Sequence, residues 1–328
     1  MNRWILSLLI AATTFSHSRA QDFNKAGRTA MQFLKIGIGA RMAAMGEAGV
    51  ANMEDINSVF WNPAAIANIE GAEAAFNYSR WFGDLSFTAG AVGFQIGTLG
   101  VVSLNYVALD YGHIDEALVS SPSGGVDTRT GETFGGNDLA VGLALSRKFT
   151  DKLAVGVNLK YVREELFNFS SGVAAFDVGT YYDTGWRGIR LAMSAQNFGK
   201  QPRWLHTRED QQQEYELPLI FRIGWSIDLL GDQNLFLGGS PEKHRFSFNM
   251  DAIHTNDYAE RLHLGGEYAF SNFLVLRGGY RFNYEEGNLA FGVGLQPKVS
   301  GLNLHVDYAY VSHDFLDSPH RFSMIVNF

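Results

Sequence analysis

From residue 74 to residue 328 the chain alternates: it breaks into segments of roughly ten residues with apolar side chains at every second position. A period of two marks a strand with one apolar face, and roughly ten residues is the length a tilted strand needs to cross a bilayer. In one segment Leu302, Leu304, Val306, Tyr308 and Tyr310 share a face, and Asn303, His305, Asp307 and Ala309 share the other. A single segment of this kind would suit a half-buried strand in water equally well. Its repetition is what decides. Leu153, Val155, Val157, Leu159 and Tyr161 stand against Ala154, Gly156, Asn158 and Lys160. Leu217, Leu219, Phe221, Ile223, Trp225, Ile227 and Leu229 stand against Arg222, Gly224, Ser226 and Asp228, and Leu289, Phe291, Val293 and Leu295 against Ala290, Gly292, Gly294 and Gln296. Lipid suits the first set in each case and a lumen the second.

The pattern predicts strands near 74–82, 85–97, 99–109, 137–149, 152–163, 172–183, 187–198, 216–229, 244–254, 260–270, 272–283, 288–296, 301–311 and 319–328. These are fourteen, an even number as bacterial barrels require, and the expected fold is an all-β transmembrane antiparallel barrel. Connections at 97–98, 150–151, 183–186, 270–272 and 296–301 are short, while those at 110–136, 164–171, 199–215, 254–260 and 311–319 are longer. Short turns belong to the periplasmic side and long loops to the exterior. The stretch 230–243 breaks this rule, being long where a short turn is expected.

The N-terminus reads as an export signal over 1–20: basic Arg3, an apolar stretch from Trp4 to Ala12, and Ser18 and Ala20 before a cut at Gln21. That stretch is too short for a spanning helix, and no later run of eighteen apolar residues exists. An exported membrane chain without such helices must be a closed barrel, because nothing else satisfies its own backbone in lipid. Removing Arg3 and Arg19 leaves 24 Lys+Arg against 34 Asp+Glu, a balance that disfavours nucleic acid. Cys is absent, so disulfides and thiolate metal sites are excluded, and no cofactor is expected.

Residues 21–73 do not alternate. Their density of small residues, including Gly37, Gly39, Ala40, Ala43, Ala44, Gly46, Ala48 and Gly49, permits close backbone packing and predicts a compact plug within the barrel 74–328. Gly37 and Gly39 do not make a dinucleotide loop, since Met42 stands where a third Gly is needed and no βαβ pattern follows. The stretch from Phe33 through Arg41 to Trp61, Asn62, Pro63 and Ala64 resembles the N-terminal signature of the PorV/PorQ family, part of the FadL-like group of outer-membrane barrels. Asn62-Pro63-Ala64 matches the Asn-Pro-Ala motif in the plug of FadL-type fatty-acid channels. The resemblance implies a fourteen-stranded barrel in the outer membrane and two functions that differ in class. One is a partner of the type IX secretion system of Bacteroidota, taking cargo by its C-terminal signal domain. The other is a channel for hydrophobic small molecules. The plug signature lies closer to PorV/PorQ, which makes the secretion partner the expected role and the channel the alternative.

The faces assigned to the lumen carry charges of both signs, among them Arg222, His263, Glu267, Arg277, Arg281, His305 and Asp307. In a closed lumen these are expected to pair and stiffen the barrel, with a ligand path as the alternative. An enzyme is not expected, because no Gly-x-Ser-x-Gly nucleophile motif accompanies Asp251, His263, His305 and Asp307. In the long loops Tyr111, Leu118, Val119, Trp204 and Leu205 are candidate contacts for type IX components or cargo, or else fold back over the barrel mouth. The last strand ends on Phe328, resembling the signal read by the outer-membrane assembly machinery. The remaining expected partner is outer-membrane lipid.

Overall fold

In the computed structural model, residues 27–119, 127–203, 214–299 and 301–328 are described; the expected signal segment, Trp204 and Leu205 lie outside them. The strands are β1 (Ala72–Arg80), β2 (Ser86–Ile96), β3 (Gly100–Asp110), β4 (Ile114–Val119), β5 (Asp127–Phe134), β6 (Gly136–Lys148), β7 (Leu153–Leu166), β8 (Phe169–Asp183) and β9 (Ile189–Gly199). They continue as β10 (Ile220–Leu230), β11 (His244–Thr255), β12 (Arg261–Phe270), β13 (Leu274–Phe282), β14 (Leu289–Leu295), β15 (Lys298–Val299), β16 (Leu302–Val311) and β17 (His320–Asn327). Each long strand pairs antiparallel with the next, and β14–β16 and β1–β17 pairings close the ring. Leaving out the two-residue β15 and the separate hairpin β4–β5, fourteen strands form one closed antiparallel barrel.

The alternation is realised across the wall. On β8 buried and exposed residues alternate almost without a break. Leu143, Leu159 and Ile223 are more than half exposed on the outside, whereas Asn158, Asp177 and Arg222 are buried inside. Apolar side chains left uncovered all round a polar-lined barrel would be costly in water, so the outer belt belongs in lipid.

Two details depart from the sequence pattern. The strand expected from 216 begins at Ile220, and Leu217, expected on the lipid face, is 4% exposed and packs inward with Phe33 and Val173. Pro218 ahead of the strand lacks the N–H that a ladder needs. The loop 110–136 is not a plain loop: it carries the hairpin β4–β5, and Leu118 and Val119 belong to β4. The long connection 231–243 is real, since β10 ends at Leu230 and β11 begins at His244.

Residues 27–71 lie inside the barrel. This segment starts at the long-loop end, where the Ala30 N–H donates to the Glu216 carbonyl, and passes through the short helix Ala40–Ala44. The turns Ile56–Phe60 and Ala65–Asn68 then bring it to β1 at the opposite end. Met31, Met42, Met45, Met53, Ile56 and Ile66 are fully buried between plug and wall. Each such side chain contributes about 1.5–3 kcal/mol of burial.

Candidate functional site

The space between plug and wall is the candidate site, and glycines set how close the two come. A Cβ on Gly279 of β13 would overlap the backbone of Met45 and Gly46, and one on Gly156 of β7 the backbone of Pro63 and Ala64. Gly292 meets the Ala44 Cβ, and Gly294 lies against Asp307 and Arg277. Gly156, Gly279 and Gly292 therefore admit the plug, while Gly294 leaves room for the Asp307 and Arg277 side chains of the wall.

The Asn62-Pro63-Ala64 motif is a joint. The Asn62 side chain donates through Nδ2 to the Thr180 carbonyl of β8 at 3.0 Å and accepts from the Ala64 N–H at 3.1 Å. Trp61, 2% exposed, donates through Nε1 to the Ile38 carbonyl at 2.9 Å, and the Arg222 guanidinium lies 4.7 Å from its ring. One residue type thus serves wall and plug at once, as a short amide with both a donor and an acceptor can.

Of the charged residues singled out in the lumen, Arg277, Glu267, Asp307, Arg281 and His263 fall in two clusters, while Arg222 lies against the Trp61 ring and makes no ion pair among the described residues. In the first, Arg277 donates to Glu267 and to Asp307, each at 2.6 Å, while Arg41 of the plug holds Glu267 at 2.9 Å and Asp55 at 3.0 Å. In the second, Arg281 donates to Glu47 of the plug at 3.2 Å, and His263 pairs with the Tyr284 hydroxyl at 3.0 Å. His305 lines the cavity beside the first cluster. Paired in this way, the charges rigidify plug and wall together, since removing one partner would leave the other buried and unsatisfied.

The opposite side of the lumen is apolar. Phe33, Ile38, Phe87, Val107, Leu109, Ala140, Val173 and Leu217 form one cluster, with Leu34, Phe60 and Tyr111 packed on it. Leu109 also borders an opening of about 480 Å³ at the long-loop rim. Val107 and Ala140 border a cavity of about 40 Å³ between Phe33, Ile38 and Phe60. That cavity ends on a polar group at a bulge in the wall. Lys160 holds Asp177 at 2.7 Å, and Asn197, with φ of 66°, donates its backbone N–H to Asp177 at 2.7 Å. Neither the bulge nor the apolar track carries a motif; the extra residue shows only as a slip in alternation near Asn197. At the short-turn end a vestibule of about 400 Å³ opens, lined by Arg41, Asp55, Glu73, Arg190, Asp228 and Glu267 among others.

Tyr111 does not stand out as a free anchor: its hydroxyl donates to Asp138 at 2.9 Å and its ring covers the apolar cluster. Phe328 follows β17, its N–H donating to the Ala72 carbonyl at 2.9 Å, with a side chain 68% exposed on the lipid side.

No family model and no curated protein matches the chain. Among solved structures it is similar to the P. putida toluene transporter TodX, with a TM-score of 0.58 and 11% identity, over 89% of this chain and 99% of that one. It is similar as well to the deltaS2S3 mutant of TodX, a monoaromatic hydrocarbon channel, with a TM-score of 0.55 and 11% identity over the same shares. The fold is that of an outer-membrane β-barrel.

Proposed function

We propose that the chain carries small hydrophobic molecules across the outer membrane, the role expected above only as the alternative to secretion. The observation that carries this reading is the apolar cluster packed between plug and wall on one side of the lumen. It runs from the rim at Leu109 through Val107 and Ala140 to the cavity against Phe33, Ile38 and Phe60. A hydrocarbon gains by leaving water for such a lining, and the few polar groups at its end, Lys160 and Asn197, fix where it stops. The likeness to a toluene transporter supports the same class of solute. A cavity of about 40 Å³ is too small for an aromatic ring, so uptake requires the plug segment carrying Phe33 and Ile38 to shift. The test is uptake of labelled toluene by cells with this chain as their only channel for such compounds. Uptake should exceed that of cells without it and fall on Val107→Asp; equal uptake with and without the chain would refute the reading.

The secretion partner remains a second proposal, favoured by the sequence from Phe33 to Ala64 and by the hairpin β4–β5 standing apart from the barrel sheet. Capture of a type IX C-terminal signal domain by the intact chain, lost when the hairpin is shortened, would support it. Absence of capture would remove it.

A further inference from the structure

The turn 231–243 is shaped by its own backbone. The Leu237 N–H donates to the Leu229 carbonyl at 2.9 Å, Gly231 to Gly238 at 3.1 Å and Leu235 to Asp232 at 3.1 Å. Gly238 and Gly239 hold φ of 65° and 118°, which side chains disfavour, so the Gly-Gly pair lets the turn fold back on β10. The product has two faces. Leu235 and Pro241 line the vestibule, while Phe236 and Leu237 point away and are 45% and 68% exposed. Phe236 meets Trp186 of the neighbouring turn edge to face, with ring centroids 6.0 Å apart, and the Arg187 guanidinium lies 4.7 Å from the Phe236 ring.

Strand register shows what this patch adjoins. Tyr182, Leu191 and Trp225 form one row across the outer surface, and Ile189 and Ile227 form the next row toward the short-turn end. Trp186 follows directly, its carbonyl accepting from the Ile189 N–H at 3.1 Å. The patch thus continues the lipid-facing belt at its lower edge. An aromatic pair with a cation against it suits the boundary between acyl chains and headgroups, where rings bury an apolar body and a guanidinium stays hydrated.

We infer that the turn 231–243 and Trp186 form an interfacial anchor that seats Phe236 and Leu237 in the phospholipid leaflet at the short-turn end. Its inner side thereby becomes a fixed rim for the vestibule. This inference is independent of what the lumen transports.

The chain has no cysteine, so single labels can be placed cleanly. Leu237→Cys and Gln233→Cys, each carrying a nitroxide, would be reconstituted in phosphatidylethanolamine and phosphatidylglycerol vesicles and checked for heat-modifiable migration. The oxygen-to-nickel-chelate accessibility ratio should be roughly tenfold higher at 237 than at 233, as burial at the headgroup boundary requires. Equal ratios would overturn the inference, and so would a label at 237 shielded from both reagents, which would mean a protein contact. As a second readout, brominated lipid should quench the emission component lost in Trp186→Phe; an unquenched component would count against the anchor.

Discussion

Arg41 of the plug and Glu267 of β12 face each other as a two-pronged pair, Nε to Oε2 at 2.9 Å and Nη2 to Oε1 at 3.0 Å. Two parallel bonds of this kind fix orientation as well as distance. Arg41→Ala should leave Asp55 without its cation and Glu267 with Arg277 alone, at a cost of about 3–5 kcal/mol to plug docking. Planar-bilayer conductance should rise while heat-modifiable migration is kept. Unchanged conductance would show that the pair does not hold the plug.

A second latch sits at the long-loop end, where Lys35 and Thr29 bind Asp257 between β11 and β12. Burial pushes the Asp257 carboxyl up, but Lys35, with the Thr255 and Thr29 hydroxyls, outweighs it and holds the group below its ordinary value of 3.8. A lowered folded value means the latch stabilises fully above about pH 4 and is lost as pH falls through the held-down value. Protease cleavage within 27–38 should therefore increase below that pH. Asp257→Asn should show the increase already at neutral pH, and cleavage of Asp257→Asn no faster than wild type at pH 7 would contradict the latch.

Glycines at plug contacts give a third expectation. Gly279→Val forces the Met45 and Gly46 backbone away, and Gly156→Val does the same at Pro63. Both should loosen the plug at a cost of about 1–3 kcal/mol or more. Gly278→Val, with ordinary space at its Cβ position, should not. Thermal unfolding and conductance would separate them; equal effects at Gly278 and Gly279 would point to strand propensity instead.

The barrel was legible because its physics is periodic: each crossing repeats the same alternation, and β16 from Leu302 to Val311 falls almost on the segment read from the sequence. The polar face of the lumen was legible for the same reason, since Arg277, Glu267 and Asp307 occupy inward positions by parity alone. Their partners were not. Arg41 meets Glu267 across 226 positions of chain, and no local pattern encodes such a contact. Likewise Leu217 kept the parity of β10 while lying ahead of the strand, where the chain had already turned inward beside Pro218. The hairpin β4–β5 escaped because Asp115, Glu116, Asp127 and Arg129 blur its alternation.

If hydrophobic solute passes only when the plug moves, as proposed, tying the plug to the wall should stop it. The Ala40 N–H donates to the Ser323 hydroxyl of β17 at 2.7 Å, which brings plug and wall together here, so Ala40→Cys with Ser323→Cys is the pair to test for a disulfide in an otherwise cysteine-free chain. The decisive measurement is toluene uptake by cells carrying this variant, oxidised and then reduced. Uptake should be that of wild type when reduced and be lost when the disulfide forms; equal uptake in both states, with the disulfide verified, would show that solute passes without plug movement.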